Sequence, residues 1–190
     1  MNSKNNSREK ILNTAAKLFQ IKGFNATGLN EILKESKSPK GSLYYYFPDG
    51  KEQLALEAIQ LANKSIIKRV GTALNEYSDP IKAIKYLINN IMNDLKKENK
   101  LQDISISLIA LETYSSNEIL REACKNVFMA LSHVYAEKLL QNGFTEQKAE
   151  ELGMAIETMI EGAITVSVTR KDTVPLATIG NIIGILLSQN

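Results

Sequence analysis

Residues 27–47 read TGLNEILKESKSPKGSLYYYF and carry the strongest structural signal in this chain of 190 residues. Two short helical segments, residues 29–35 and 39–46, are separated by a turn of three or four residues. Leu43 and Phe47 lie four residues apart, so they share one face of the second helix and can seat it on its neighbours. This arrangement is typical of a helix-turn-helix, whose second helix lies in the major groove of DNA.

The outer face of this second helix has the chemistry expected of a surface that contacts DNA. Lys40 can reach a phosphate or the edge of a guanine. Gly41 lets the helix backbone approach the bases closely, although glycine costs about 1 kcal/mol relative to alanine in an ordinary helix. Ser42 is a short donor and acceptor, and Tyr44 and Tyr45 place phenol hydroxyls within reach of phosphates. These five residues are the predicted DNA contacts.

The three consecutive tyrosines leave two interpretations open, which are DNA contact and packing in the core. Tyr46 lies roughly on the face of Leu43 and Phe47, so packing is favoured for Tyr46. DNA contact is favoured for Tyr44 and Tyr45.

The charge distribution agrees with this interpretation. Residues 1–51 contain nine Lys and Arg against four Asp and Glu, a charge of +5, and the remaining residues contain 14 and 17, a charge of −3. A basic first quarter on a mildly acidic body suggests that one end of the protein meets a polyanion. Chance clustering on a solvated surface is the alternative that charge alone leaves open.

Helical periodicity extends over the rest of the chain, and no segment shows a strand alternation. The sequence therefore predicts an all-α fold of about nine helices, with Ser7 as the N-cap of the first helix and Thr27 as a candidate N-cap of the second. Residues 1–50 are the predicted helix-turn-helix domain, and residues 51–190 are the predicted ligand-binding and dimerisation domain. The later helices are expected near residues 51–74, 80–97, 104–114, 117–141, 145–169 and from about 174.

The body has the residue mix of a helical bundle that binds a small molecule. Polar residues, including Ser105, Ser107 and Glu112, interleave with apolar ones, and methionine suits adaptable pockets. The predicted ligand contacts are Tyr114, Met129, Met159 and Glu161, and the expected ligand is an apolar compound, aromatic compounds included. Ordinary core and surface positions are the alternative for each of these residues.

The last two helices are predicted to form a homodimer interface. They are apolar over so much of their circumference that burial on more than one side is expected. Two glycines in the last helix would allow a close approach, and an ordinary core within one chain is the alternative. The residues concerned are Ile156, Ile160, Ile164, Val168, Ile179, Gly180, Ile182, Ile183, Gly184, Leu186 and Leu187.

Several classes of protein are disfavoured by the composition. Cys124 is the only cysteine and His133 the only histidine, so the chain offers few residues for a histidine-rich metal site or a Cys–His nucleophile pair. No glycine-rich phosphate loop is present, so neither an enzyme nor a bound cofactor is expected. The absence of an apolar run of 18 residues, of a secretory signal and of paired cysteines predicts a cytoplasmic protein. The remaining rival is a helical carrier or sensor of apolar small molecules without specific DNA binding.

Residues 7–54 resemble the DNA-binding domain of the TetR family of transcriptional repressors. The resemblance is carried by the first helix, REKILNTAAKLFQIKGF, by Thr27 and Ile32, by KGSLYYYF and by KEQL at the start of the fourth helix. The stretch PKGSLYYYFPDGKEQL is similar to the LmrA-type branch of the family. The resemblance implies a homodimer on a palindromic operator that a small-molecule inducer releases. It also implies DNA contacts at Thr27, Lys40, Gly41, Ser42, Tyr44, Tyr45 and Lys51.

Two residues depart from the family pattern. Lys37 stands where the turn usually has glycine, so a positive φ at this residue would cost about 1 kcal/mol. Tyr45 replaces a frequent histidine of the recognition helix, so the base preference of relatives is not carried over to this chain.

Overall fold

The computed structural model describes residues 2–98 and 106–188, with the side chains of residues 7–97 and 106–188. Within these residues the chain forms nine α-helices and no strand, which confirms the predicted all-α class. The helices are α1 (Asn2–Lys22), α2 (Leu29–Ser36), α3 (Lys40–Tyr46), α4 (Gly50–Asn75), α5 (Pro80–Glu98), α6 (Ile106–Thr113), α7 (Glu118–Leu140), α8 (Glu146–Arg170) and α9 (Val174–Ser188).

The first helix differs from the sequence prediction at its start. It begins at Asn2, so Ser7 lies inside α1 and is not its N-cap. No proline or glycine precedes Ser7 to interrupt the helix. At the other end Gly23 has a φ of +79° and its N–H donates to Phe19 O at 2.9 Å, as expected of a residue that ends a helix. The predicted start of α6 near Ile104 lies outside the described residues.

The chain divides into two compact units. The first comprises the described residues 2–64 and 106–126, and the second comprises residues 65–98 and 127–188. The boundaries fall within α4 and within α7. The functional division of the chain at residue 50 stays a prediction.

A small apolar core holds the first three helices together. α1 packs against α2 and α3, and the side chains between them are fully buried. Such burial contributes about 1.5–3 kcal/mol for each large apolar side chain. A helix as short as α3 is not stable alone in water, so this core is what keeps α3 helical. The buried side chains are Ile11, Ala15, Phe19, Ile32, Leu43 and Phe47.

An ion pair fastens α1 to α4 beside this core. The Arg8 guanidinium donates to Glu57 Oε1 at 2.8 Å and to Oε2 at 2.6 Å, and it lies 5.0 Å from the centre of the Phe47 ring. Gln53 Nε2 also donates to Glu57 Oε1, at 3.1 Å. Because the Arg8 side chain is partly exposed, the pair adds little stability. The pair links α1 to α4 at the edge of the three-helix core.

In the second unit α9 packs against both α5 and α8. A Cβ added to Gly180 would lie 3.5 Å from Ile88 Cδ1, and one added to Gly184 would lie 3.2 Å from Lys85 Cε. Both glycines therefore bring α9 close to α5 of the same chain, which corrects the expectation that they allow two subunits to approach. Ile183 is likewise buried within its own chain.

Among the described helices, α8 alone is long and apolar enough to cross a membrane by length and composition. The core helix of a folded protein passes the same test. Since α8 packs against α9 and carries the buried Ile156 and Ile160, we interpret it as a core helix.

Lys37 has the left-handed conformation that its place in the turn requires. Its φ is 52° and its ψ is 38°, and as the C-cap of α2 its N–H is directed at Leu33 O and Lys34 O. A residue with a side chain is strained in this conformation by about 1 kcal/mol, because its Cβ approaches the following carbonyl. Lysine thus occupies a position that glycine would occupy without strain.

Replacing Lys37 with glycine is expected to raise the free energy of unfolding by about 1 kcal/mol, because the strain is removed. Urea unfolding followed by circular dichroism measures the change. Lys34→Gly, in the regular part of α2, is the control and should lower the free energy of unfolding by about 1 kcal/mol. A loss of stability in both variants would contradict the strain argument.

Candidate nucleic-acid interface

One face of α3 is exposed, and it carries most of the predicted DNA contacts. Lys40 and Gly41 lie on the surface, and Tyr44 and Tyr45 are 47% and 73% exposed. Lys40 Nζ lies 5.9 Å from the centre of the Tyr44 ring, a distance at which a cation and an aromatic ring still attract. Ser42 is half-buried. One surface of the helix therefore presents the Lys40 cation, the rings of Tyr44 and Tyr45, and the backbone of Gly41 that no side chain covers.

Gly41 has no packing reason to be a glycine within this chain. A Cβ added there would meet no atom within 4 Å. Its φ also lies outside the left-handed region, so alanine would fit both the space and the backbone. Since glycine weakens a helix, the residue is best explained by the approach of something outside the chain.

The opposite face of α3 anchors the helix. Leu43 and Phe47 are fully buried, and Phe47 N–H donates to Leu43 O at 2.7 Å to close the last turn. Tyr46 is half-buried, and its ring meets the Tyr45 ring edge to face, with centres 4.9 Å apart. Tyr46 is thus less exposed than Tyr44 and Tyr45, in line with its expected position nearer the core.

Thr27 lies in the turn between α1 and α2 and is almost fully buried. Its hydroxyl donates to Gly23 O at 2.7 Å. The N-cap of α2 is Gly28, with no side-chain capping bond, so the expectation that Thr27 caps α2 is wrong. The hydroxyl closes the preceding turn instead, and the DNA contact implied for Thr27 stays a prediction.

The Lys51 side chain also contacts the turn between α1 and α2. Its Nζ donates to Asn25 O at 3.3 Å and lies 4.4 Å from the centre of the Phe24 ring. Partial burial lowers the pKa of Lys51, while the negative charge of Glu112 acts in the opposite direction. The ammonium therefore stabilises the turn in this structure, and its role in DNA contact stays a prediction.

Glu112 is a residue whose position the sequence did not reveal. Its carboxylate accepts hydrogen bonds from the backbone N–H groups of Phe24 and Asn25, whereas the sequence placed it among polar groups that orient a ligand. The contact joins residues 88 apart in the chain, so no local pattern could have signalled it.

The comparisons with known proteins agree with this geometry. Residues 11–58 match the family model of bacterial regulatory proteins of the tetR family. Residues 80–182, more than half of the chain, match the model described as transcriptional regulator LmrA/YxaF-like, C-terminal domain. The chain belongs to the TetR family. It is a helix-turn-helix transcriptional regulator and not an enzyme.

Full-length relatives support this assignment. The chain is 44% identical to the uncharacterised HTH-type transcriptional regulator YxaF of Bacillus subtilis, over 100% of this chain and 99% of the relative. It is 40% identical to the HTH-type transcriptional regulator LmrA of the same species, over 96% and 97%. A TetR-family crystal structure from Chloroflexus aurantiacus has the same fold, with a TM-score of 0.82 and 22% identity over 100% of this chain and 98% of that one.

The predicted ligand contacts of this TetR-family regulator are divided between the two units. Tyr114 follows α6 in the first unit and is 65% exposed, and Met129 lies on α7 in the second unit and is 59% exposed. Met159 and Glu161 are half-buried on α8. Their role in binding a ligand stays a prediction.

A groove lies between the second half of α4 and α5. It has a volume of about 410 Å³ and contains none of the four predicted residues. Its walls combine aliphatic carbon with charged and amide groups. They include Lys68, Thr72, Tyr86, Leu87, Asn90 and Asp94.

A buried carboxyl group lies one helical turn from Glu161. Glu157 is only 8% exposed, and burial, followed by the charge of Glu161, raises its pKa to about 7. Tyr135 on α7 is also buried, and its pKa is raised by burial and by the charges of Glu161 and Glu157. Glu157 is not among the four predicted ligand contacts, although the helical period from Gly153 and Ile160 places it on the buried face of α8.

Cys124 and His133 are the two side chains considered for nucleophilic chemistry. Cys124 is buried, and burial raises the pKa of its thiol to about 11, which suppresses the reactive thiolate. His133 is exposed, and its Nε2 lies 3.3 Å from Glu137 Oε1. In the part of the chain that the structure describes, no group of three or more His, Cys, Asp or Glu side chains could hold a metal ion.

The raised pKa of Glu157 makes stability depend on pH. Between the ordinary value of 4.5 and about 7, the folded protein holds a proton that the unfolded chain releases, so the free energy of unfolding falls as pH rises through this range. Glu157→Gln mimics the protonated group and should be more stable than the wild type at pH 8 by about 2 kcal/mol, with little difference at pH 5.

Urea unfolding at the two pH values tests this expectation. The exposed Glu150 on the same helix supplies the control variant, Glu150→Gln, which should follow the wild type at both pH values. Equal stability of Glu157→Gln and the wild type at pH 8 would show that the carboxylate is adequately solvated.

Proposed function

We propose that this regulator is a ligand-responsive repressor that binds a palindromic operator as a homodimer and is released by an apolar small molecule. The observation that carries the proposal is the division of α3 into two faces. Leu43 and Phe47 are fully buried, while Lys40, Gly41 and Tyr44 lie on the surface. A helix held in this way can enter a major groove without rearranging its own core.

The mode of DNA binding follows from symmetry and charge. Each subunit inserts α3 into a major groove, and the two half-sites are separated by about one helical turn or a multiple of it. A closed homodimer has two-fold symmetry, so the operator is expected to be palindromic. If the dimer neutralises about eight phosphates, the logarithm of the binding constant falls with the logarithm of salt concentration with a slope of about −7.

The exposed faces of α8 and α9 support dimerisation through these helices. The α8 face is spaced by four residues, carries no charge at these positions and has open space above Gly162. The α9 face carries Ile182 and Ile185, which are 49% and 55% exposed. Burial of such a surface against its symmetry mate is the usual reason for its apolar character. The residues are Met154, Thr158, Gly162 and Val166 on α8, and Val174, Thr178, Ile182 and Ile185 on α9.

The proposed inducer acts through its different affinities for two conformations of the dimer. In one of these conformations the two copies of α3 are not spaced to fit the two half-sites. A ligand that binds better to that conformation lowers DNA affinity by the difference between its affinities for the two conformations. An apolar compound, aromatic compounds included, fits the proposed contacts Tyr114, Met129, Met159 and Glu161. The proposed location is the cytoplasm, where the operator DNA is found.

Fluorescence anisotropy on DNA fragments from around the coding region tests the DNA-binding part of the proposal. Lys40→Ala and Tyr44→Ala should each weaken specific binding about tenfold, because each removes a contact to phosphate or base. Gly41→Ala should weaken binding while raising the free energy of unfolding by about 1 kcal/mol, because alanine favours the helix but its methyl group meets the DNA.

Lys82→Ala, which removes an exposed lysine on α5, is the control and should leave affinity unchanged. Equal affinity for every fragment together with a salt slope near zero would favour the carrier or sensor without specific DNA binding. Tighter binding by Gly41→Ala would contradict close approach of α3 to the bases.

Dimerisation is tested by the double substitution of Ile182 and Ile185 with glutamate. The variant should sediment as a monomer, because its charges would be buried without partners at the interface. The matched control is Ile119→Glu, at an aliphatic residue on α7 that is 60% exposed. Sedimentation equilibrium compares the three proteins. A dimer of undiminished affinity in the double variant would place the interface elsewhere.

A further inference from the structure

The turn that follows α1 is held from three directions within the first unit. Thr27 Oγ1 donates to Gly23 O from within the turn, and Lys51 Nζ donates to Asn25 O from the start of α4. Glu112 on α6 supplies the third contact, since its Oε2 accepts the N–H groups of Phe24 and Asn25, the latter at 3.4 Å. We call these contacts of the Glu112 carboxylate the Glu112 clamp.

Gly23 fits against the carboxylate of Glu112. Its φ of +79° belongs to the left-handed region, and a Cβ added there would lie 2.6 Å from Glu112 Oε1. A side chain at Gly23 would therefore be strained and would also displace the carboxylate. The residue that ends α1 thus makes room for a group from α6.

Favourable electrostatics between helices does not explain why a carboxylate lies here. Glu112 is in the last turn of α6, and the turn that it contacts follows the last residue of α1. The C-terminal end of a helix carries partial negative charge, which disfavours an anion by about 0.3–1 kcal/mol. The two N–H donors and the nearby Lys51 ammonium offset this cost. The carboxylate is better explained by the backbone that it holds in place.

The segment held by the clamp leads directly into the predicted DNA-binding surface. Gly28 follows the turn as the N-cap of α2, with no side chain capping the first N–H groups of that helix. Thr27 and Lys51, both of which the family resemblance implies as DNA contacts, have their polar atoms bonded to this turn. The position of the Glu112 carboxylate therefore affects where these groups lie.

We propose that Glu112 is a positioning residue for DNA binding, whose carboxylate holds the turn between α1 and α2 together with Lys51 in the geometry that the operator requires. The inference rests on the proposed DNA-binding function. It assigns to α6, a helix outside the helix-turn-helix, a direct structural part in operator affinity.

Charge and positioning predict opposite effects when Glu112 is replaced. Removing a negative charge from a DNA-binding protein should by itself strengthen its attraction to DNA. Loss of the clamp should weaken binding, because the turn must then be ordered when DNA binds. The sign of the change therefore separates the two explanations without an exact magnitude.

The experiment measures operator affinity and amide hydrogen exchange for the wild type, Glu112→Gln and Glu112→Ala in the full-length dimer. We expect Glu112→Ala to bind about tenfold more weakly and Glu112→Gln to lie between it and the wild type, because glutamine keeps one acceptor oxygen. The amides of Phe24 and Asn25 should exchange faster in the same order. The control is Glu118→Gln, which removes an exposed carboxylate on α7 that is paired with Arg121. It should bind at least as tightly as the wild type.

The outcomes separate this inference from the function on which it rests. A wild type that binds no fragment specifically overturns the proposed function and this inference with it. Specific binding by the wild type, with both Glu112 variants as tight as Glu118→Gln, overturns the positioning role alone. If Glu112→Ala does not fold, the nearly isosteric Glu112→Gln decides, and unchanged affinity and amide exchange in that variant would refute the clamp.

Discussion

Burial of Leu43 and Phe47 in the three-helix core is the interaction on which the proposed DNA-binding surface depends. α3 spans seven residues, Lys40–Tyr46, which is too short for a helix to persist alone in water. Both side chains are fully buried, and their burial replaces the stability that helix propensity cannot supply. The opposite face is then free to carry residues that do nothing for folding, including a glycine that weakens the helix and two exposed tyrosines.

The same core shows how a functional element accepts local strain. Lys37 has a left-handed conformation that favours glycine, and the N-cap of α2 is Gly28, which makes no side-chain capping bond. Each feature costs stability locally, and the packing of α1 against α2 and α3 compensates for it. Arg8 links α1 to α4 through Glu57 and lies over the Phe47 ring, and its partial exposure keeps its contribution to stability small.

Polar groups in the interior have separate functions in the two units. In the first unit the partly buried Glu112 carboxylate accepts hydrogen bonds from the backbone N–H groups of Phe24 and Asn25, so it holds a turn. In the second unit Glu157 and Tyr135 lie buried near Glu161, and burial holds the Glu157 carboxyl close to half-protonated at neutral pH. Burial of such an acid costs stability when the carboxyl group is ionised and therefore favours its neutral form. Glu157 and Ser167 are the polar residues among the buried positions of α8.

The sequence by itself determined the fold class, the helix boundaries to within a few residues at most ends, the turn chemistry at Gly23 and Lys37, and the two faces of α3. These features depend on periodicity and on residues close together in the chain, where the helical repeat fixes which side chains share a face. The family resemblance, confirmed by the relatives, added the role of a TetR-family transcriptional regulator, which no single motif established.

Only the tertiary structure decided the partners of residues far apart in the chain. Glu112 meets Phe24, Glu57 meets Arg8, and Gly180 faces Ile88 across contacts that no local pattern encodes. Thr27 was likewise given the wrong hydrogen-bonding role, because an N-cap hydroxyl would accept from an N–H of α2, whereas the Thr27 hydroxyl donates to Gly23 O. A helical period specifies the direction in which a side chain points, but the helix that it meets is set by the packing of the whole unit.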